Sequence, residues 1–153
     1  MKEALEEAKE ELKRVDHLIY VSLKYTRTVD VLMNVTSRMI DAYSGMIDAL
    51  LKWAQNEKKI AELPVSPVEK GELVKKLFPD QETIDNIELY FLMRKIHRCN
   101  PQKENEYRRH VTLRTFIEGR EEIVNIDIAT QYYFFQKKFF ETVEKIVLGK
   151  QQE

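Results

Sequence analysis

The sequence predicts a mainly α-helical protein, an up-and-down bundle of four or five helices with a two-stranded β-hairpin before the last helix. The stretch from Val29 to Gln55 is apolar with a polar residue at every third or fourth position, which is typical of a helix with one solvent-facing stripe. Between Val111 and Ile128 the pattern changes to the alternation of strands, so the hairpin is expected at about residues 110–126. Only four Gly and four Pro interrupt the 153 residues. We therefore expect one compact domain over residues 1–153.

The first two predicted helices form an antiparallel hairpin. Apolar residues from Leu5 to Ser22 follow a three-four spacing, and the run Thr26–Thr28 then breaks the helix, with Thr28 as the N-cap of the next one. A single unbroken helix is the alternative. The central helix is too apolar for a surface helix, so neighbours are expected on more than one side. Gly45 in its middle costs about 1 kcal/mol and indicates the close approach of another backbone.

Prolines mark the next elements. Pro64 and Pro67 indicate a crossing loop, and Ser66 to Glu69 combine a capping box with Pro at the first helical position. The short helix that follows ends before Pro79, and Asp80 is expected to cap the fourth helix. Asn100-Pro101 ends that helix.

The last part of the chain contains the hairpin and the final helix. Glu118-Gly119 is the expected hairpin turn, and because an isolated hairpin is marginally stable it must pack on the bundle or on another subunit. Asp127 is the predicted N-cap of the last helix, and Gly149 is its predicted C-cap.

Composition limits the possible functions. The formal net charge of −1 gives no global attraction to nucleic acid or anionic lipid, so such binding requires a local patch. The single cysteine, Cys99, excludes an internal disulfide and a four-thiolate zinc site. The N-terminus lacks the apolar core of a signal peptide, and no apolar run approaches the roughly 20 residues of a membrane helix. We expect a cytoplasmic protein without membrane contact, and its 33% of charged residues resembles the composition of thermophilic proteins.

No familiar catalytic or metal motif is present. The sequence has neither the Glu-x-x-His pairs of di-iron bundles nor a glycine-rich phosphate loop, so neither a metal nor another cofactor is expected. Glu106 and His110 are four residues apart in a predicted loop and are expected to be solvated. Asp41 and Asp48 lie on the polar stripe of the central helix, where Arg38 would neutralise the first of them.

Positive charge is concentrated between Arg94 and Arg120, a segment that we call the basic island. Guanidinium groups with an aromatic residue on a loop suit a phosphate backbone or an unstacked base. Glutamates interleave, so a surface of ordinary salt bridges is the alternative. The predicted contacts are Arg94, Arg98, Arg108, Arg109 and Arg114 for anions and Tyr107 for base stacking.

The last predicted helix is aromatic all round. Tyr133, Phe140 and Val147 form a stripe with a spacing of seven residues that is too apolar to remain in water. The stripe packs either on the chain's own core or against a second subunit, and both possibilities are open. A homodimer is expected.

This arrangement resembles the HEPN family of small helical bundles. The resemblance covers most of the chain in architecture: two long antiparallel helices, a Pro-capped short helix, two further helices and a basic element near the end of the fourth. Leu18–Lys24 and Glu106–Thr112 also resemble an uncharacterised archaeal family. The HEPN resemblance implies a homodimer and either RNA cleavage or association with RNA or nucleotides. The family's ribonuclease motif, an Arg followed by four to six residues and a His, is not matched, because Arg94 is too near His97 and Arg98 too far from His110.

The sequence therefore predicts a non-catalytic, homodimeric interaction module with a local basic surface for RNA or another anionic partner. One alternative is a metal-independent ribonuclease in which His97 or His110 moves protons. Another is a purely structural subunit that uses the aromatic last helix as its interface.

Overall fold

The computed structural model describes residues 1–149, and its longest element is the predicted central helix, α3 (Val29–Asn56). Thr28 is the N-cap, as predicted, and its Oγ1 accepts a hydrogen bond of 3.2 Å from the N–H of Val31. The cap forms because residue 28 is extended, so its hydroxyl faces the open N–H groups of the first turn.

The first helical rod is continuous but changes its winding. It consists of α1 (Lys2–His17), a π-helical segment (Leu18–Ser22) and a last turn, α2 (Leu23–Tyr25). Residues 26–28 then break it, which confirms the helical hairpin. The sequence pattern did not predict the π-helix, a rare winding that is frequently found at functional sites.

At Gly45 the helices α1 and α3 are in close contact. A Cβ at this position would lie 2.9 Å from the carbonyl oxygen of Ala4 and 2.9 Å from the Cβ of Ala8. The prediction of a close backbone approach is therefore confirmed, and the neighbouring backbone belongs to α1 of the same chain.

The third and fourth predicted helices are α4 (Pro67–Leu77) and α5 (Gln81–Arg98). Asp80 caps α5 as predicted, accepting a hydrogen bond of 3.0 Å from the N–H of Thr83. Ser66 is the N-cap residue of α4 and Pro67 follows it, but the Ser66 side chain makes no cap hydrogen bond. The expected capping box is therefore not formed, although the helix begins where it was predicted.

The β region contains three strands, so the prediction of a two-stranded hairpin is wrong in this respect. The strands β1 (Gln102–Glu104), β2 (Thr112–Ile117) and β3 (Arg120–Asn125) form an antiparallel sheet in the order β1-β2-β3. The sequence Gln-Lys-Glu of β1 has little strand propensity of its own. The strand is fixed by pairing, because Gln102 lies opposite Arg114 and the Arg114 guanidinium binds Glu104. Glu118 and Gly119 form the predicted turn, with φ of 53° and 80°.

The last helix, α6 (Ile126–Leu148), begins two residues earlier than a cap at Asp127 would allow. Asn125, not Asp127, is its N-cap, and the Asn125 Oδ1 accepts a hydrogen bond of 2.8 Å from the N–H of Ile128. Asp127 lies instead inside the first turn, where its negative charge interacts favourably with the positive end of the helix dipole. Gly149 is the predicted C-cap and is left-handed, with φ of 64°.

The core surrounds α3, which packs against α1, α4, α5 and α6. Tyr133, Phe140 and Val147 are buried within the single chain, and the Tyr133 hydroxyl donates a hydrogen bond of 2.8 Å to Asp16 of α1. The aromatic stripe is thus part of the chain's own core and is not an exposed subunit surface, because α1 covers it. The exposed aromatic residues of α6 are Phe134 and Phe135. Among residues 1–149, every helix is too short or too polar to cross a membrane.

Candidate nucleic-acid interface

The loop between β1 and β2 is docked on the junction of α2 and α3. Glu106 Oε2 accepts a hydrogen bond of 2.7 Å from the N–H of Val29, the first residue of α3. The N–H of Tyr107 donates a hydrogen bond of 2.6 Å to the carbonyl oxygen of Arg27. The expectation of a solvated Glu106 is therefore wrong, because this carboxylate caps a helix that lies 77 residues away in sequence.

The docked loop has an unusual backbone that exposes its aromatic side chain. Asn105 and Tyr107 have φ of 53° and 66°. Asparagine adopts this region readily, whereas for a bulky residue it is unfavourable and occurs mostly where the surroundings impose it. Two hydrogen bonds to the carbonyl oxygen of His110 hold the other end of the loop, one from Asn105 Nδ2 and one from Thr112 Oγ1.

A cleft of about 520 Å³ lies between this loop, the π-helical segment and the start of α6. We call it the basic cleft. It is lined by Ile19, Tyr20, Leu23, Lys24, Arg27, Arg109, His110, Thr112, Asn125, Ile126 and Asp127.

The charged groups of the basic cleft are mainly positive. Lys24, Arg27 and Arg109 face one carboxylate, that of Asp127. Within residues 1–149, no carboxylate lies within 4.0 Å of any of these three cations, so their charge is not neutralised locally. Arg27 is held in place because its Nε donates a hydrogen bond of 3.3 Å to the carbonyl oxygen of Leu23.

Three exposed tyrosines accompany these cations. Tyr20 lines the cleft and is 47% exposed, while Tyr25 and Tyr107 are 78% and 76% exposed. The Lys24 ammonium lies 5.9 Å from the centre of the Tyr25 ring. Exposed aromatic rings beside cations that have no carboxylate partner are candidates for contact with a ligand.

Sequence reasoning found only one side of this site. Arg109 and His110 line the cleft as members of the basic island, and Tyr107 and Arg108 precede them on the same loop. The missed residues are Tyr20, Lys24 and Tyr25 at the end of the first helical rod and Arg27 just after it. The alternation of tyrosines with cations in this segment is a sequence signal that lies outside the basic island.

The other predicted anion contacts do not belong to the basic cleft. Arg94 and Arg98 line a second cleft of about 320 Å³ beside the hairpin turn, together with Arg120 and four glutamates. The Arg94 guanidinium lies 5.7 Å from the centre of the Tyr90 ring. Its Nε is buried and has no hydrogen-bond partner among the described residues.

Arg114 has a structural role in the sheet. Its guanidinium binds Glu104 on β1 and Glu121 on β3, the latter at 2.7 Å. The hydrogen bond from Arg114 lowers the pKa of Glu104, and the hydrogen bonds to both carboxylates raise the pKa of Arg114. Because this guanidinium ties three strands together, the prediction that Arg114 contacts an external anion is not favoured.

His97 and His110 lie in different surroundings. His110 lines the basic cleft, whereas His97 is at the end of α5 and near enough to Asp41 of α3 to lower its pKa. That effect is small beside burial and the charge of Glu11, which raise the pKa of Asp41 overall. Asp41 does lie near Arg38, as predicted, at 3.8 Å. Asp48 is paired with Lys70 at 3.0 Å.

The described residues include no group of three or more His, Cys, Asp or Glu side chains that could hold a metal ion. Cys99 is a free, half-buried thiol at the end of α5. What the basic cleft offers chemically is therefore cationic and aromatic contact.

Comparisons with protein-family models, with curated proteins and with solved structures find no match to this chain.

Proposed function

We propose that this chain is a non-catalytic interaction module that binds single-stranded RNA at the basic cleft and at the tyrosines around it. The observation that supports the proposal is that unpaired cations and exposed tyrosines from two distant segments meet at one place. Proteins that bind single strands combine cations along the phosphate backbone with aromatic rings on which bases stack. In a duplex the bases already stack on one another, so these tyrosines favour a single strand.

The charge distribution supports the same ligand class. The chain as a whole is nearly neutral, at −1. An anion is therefore attracted by the local group of Lys24, Arg27, Arg108 and Arg109, and this attraction weakens steeply with salt.

The rigidity of the site also supports binding. Arg108 and Arg109 are on the loop that Glu106 anchors to the first residue of α3 and Tyr107 anchors to Arg27 in the link before it, through hydrogen bonds of 2.7 and 2.6 Å. A loop that is already fixed loses less conformational entropy when a ligand binds, so more of the contact energy contributes to affinity.

A homodimer is part of the proposal. The buried stripe of α6 is not available for it, whereas Phe134 and Phe135 on the same helix are exposed. Light scattering of the protein and of a Phe134→Ser/Phe135→Ser variant tests this. A dimer that becomes a monomer in the variant supports the assignment, and a monomer in both contradicts it.

The test of RNA binding uses a labelled, unstructured single-stranded RNA with EDTA at low and moderate salt, and it scores both retention and cleavage. The variant is Arg108→Glu/Arg109→Glu. The matched control is Lys137→Glu/Lys138→Glu. It changes the net charge of the protein by the same amount, but on α6, about 17 Å along the helix from its start.

Retention that falls with salt and is lost only in the arginine variant is the expected result. Cleavage that disappears in His110→Ala would instead favour the metal-independent ribonuclease, with His110 acting in the cleft without His97. If the protein neither retains nor cleaves the RNA, RNA binding is overturned and the purely structural subunit remains.

A further inference from the structure

We infer that the basic cleft binds a terminal phosphate of the RNA and that the following nucleotides run over the exposed tyrosines outside it. This inference rests on the proposed function and adds a ligand class to it: a strand that ends in a phosphomonoester, at either its 5′ or its 3′ end. A strand that lacks such an end would be held more weakly.

The shape of the cleft favours an end over an internal segment. Ile19 and Leu23 are part of the hydrophobic core, so the cleft is closed on their side. Its volume of about 520 Å³ is in the range of small-molecule sites. A site of this size suits one terminal nucleotide with its phosphate.

The charge of the cleft also favours a phosphomonoester. A backbone phosphodiester carries a single negative charge, whereas a phosphomonoester carries about −1.5 to −2 at pH 7. Three cations converge on the cleft against the single carboxylate of Asp127. The start of α6 lies in the same cleft and adds the positive end of a 23-residue helix to the field of these cations.

The donor groups suit a phosphate with three terminal oxygens. The Nε of Arg27 is used by the Leu23 carbonyl oxygen, which leaves its two terminal amino groups for a paired contact. Asn125 uses its Oδ1 to cap α6, which leaves its Nδ2 amino group as a further donor. Arg109 enters from the docked loop on the other side.

Arg108 and Tyr107 are on the same loop but do not line the cleft. They are exposed, so they are available to the nucleotides that follow the terminal one. This gives a division of roles that an experiment can separate: Arg27 and Arg109 recognise the end, while Arg108 binds any part of the backbone.

The experiment measures the affinity of the full chain for one labelled decamer of uridine in four forms, by fluorescence anisotropy. One carries a 5′-phosphate, one a 3′-phosphate, one has hydroxyl groups at both ends, and one is circular. The form with the matching phosphate is expected to bind at least about fivefold more tightly than the hydroxyl and circular forms, as expected for added charge-assisted hydrogen bonds. The comparison of the first two forms identifies which end is bound.

Arg27→Gln and Arg109→Gln are expected to remove this preference, so that all four forms bind alike. Arg108→Gln, the adjacent and equally charged change, is expected to weaken all four forms by the same factor and to leave the preference unchanged. Circular dichroism spectra and melting curves show whether each variant is folded.

Equal affinity for all four RNAs would overturn the inference while leaving RNA binding in place. A preference that survives in both Arg27→Gln and Arg109→Gln would also overturn it, because the end would then be recognised elsewhere. If none of the RNAs binds, the proposed function itself fails.

Discussion

Glu106→Ala tests whether the docked loop is held by the cap that it supplies to α3. The N–H of Val29 donates to Glu106 Oε2 at 2.7 Å, and Val29 is fully buried, so water does not replace the lost acceptor. An unsatisfied buried donor costs about 1–3 kcal/mol. Losing a carboxylate at a helix N-terminus costs roughly another 0.3–1 kcal/mol. We expect the free energy of unfolding to fall by about 2 kcal/mol in total.

Urea unfolding followed by circular dichroism measures this change. For a chain of this size, Tm should fall by about 4–8 °C. Glu106→Gln keeps a carbonyl acceptor and removes only the charge, so its loss should be below about 1 kcal/mol. The matched control is Glu72→Ala, which removes an exposed glutamate that pairs with Lys75 at 3.3 Å and should cost less than about 1 kcal/mol.

Equal stability losses in Glu106→Ala and Glu72→Ala would refute the reasoning. Amide hydrogen exchange gives an independent check, because the N–H of Val29 should lose protection in Glu106→Ala and keep it in the control. Unchanged protection in Glu106→Ala would show that the loop is not the cap.

Two further predictions concern α3. Gly45→Ala places a Cβ 2.9 Å from the Ala4 carbonyl oxygen. The overpacking cost of about 1–3 kcal/mol exceeds the gain of about 1 kcal/mol in helix propensity. Thermal melting of this variant should therefore show a lower Tm. A higher Tm would contradict the close packing of α1 on α3. Burial and the charge of Glu11 raise the pKa of Asp41 above its ordinary value of 3.8, so the folded state binds the proton more tightly and loses stability as the pH rises through this range. Asp41→Asn should therefore raise Tm at pH 7 and leave Tm unchanged below pH 3.8. An equal rise in Tm at both pH values would show that the raised pKa of Asp41 is not the cause.

The parts of the fold that the sequence predicted depend on local interactions. Thr28 and Asp80 cap helices by binding N–H groups three residues further on, and such contacts are readable from neighbouring residues. The length of α3 follows from its apolar pattern in the same way. Neighbours on several sides of α3 could be expected because apolar residues cover most of this helix, and one packed neighbour cannot bury all of them.

The parts that could not be predicted depend on residues far apart in the chain. Strand β1 is polar and exists because it pairs with β2, and Glu106 looks solvated until its loop meets α3. The residues of the basic island are close in sequence, which predicts one surface. In the folded chain Arg109 and Arg94 line different clefts, and the cleft of Arg109 is shared with residues of the first helical rod.

The salt dependence of RNA binding tests the central claim most directly. If Lys24, Arg27, Arg108 and Arg109 all contact phosphates, the plot of log affinity against log salt should have a slope of about −3 for a single strand. In Arg108→Gln/Arg109→Gln the slope should be shallower by about 1.4, whereas Lys137→Gln/Lys138→Gln should leave it unchanged. Absence of binding at low salt, or equal slopes in the two variants, would contradict the account.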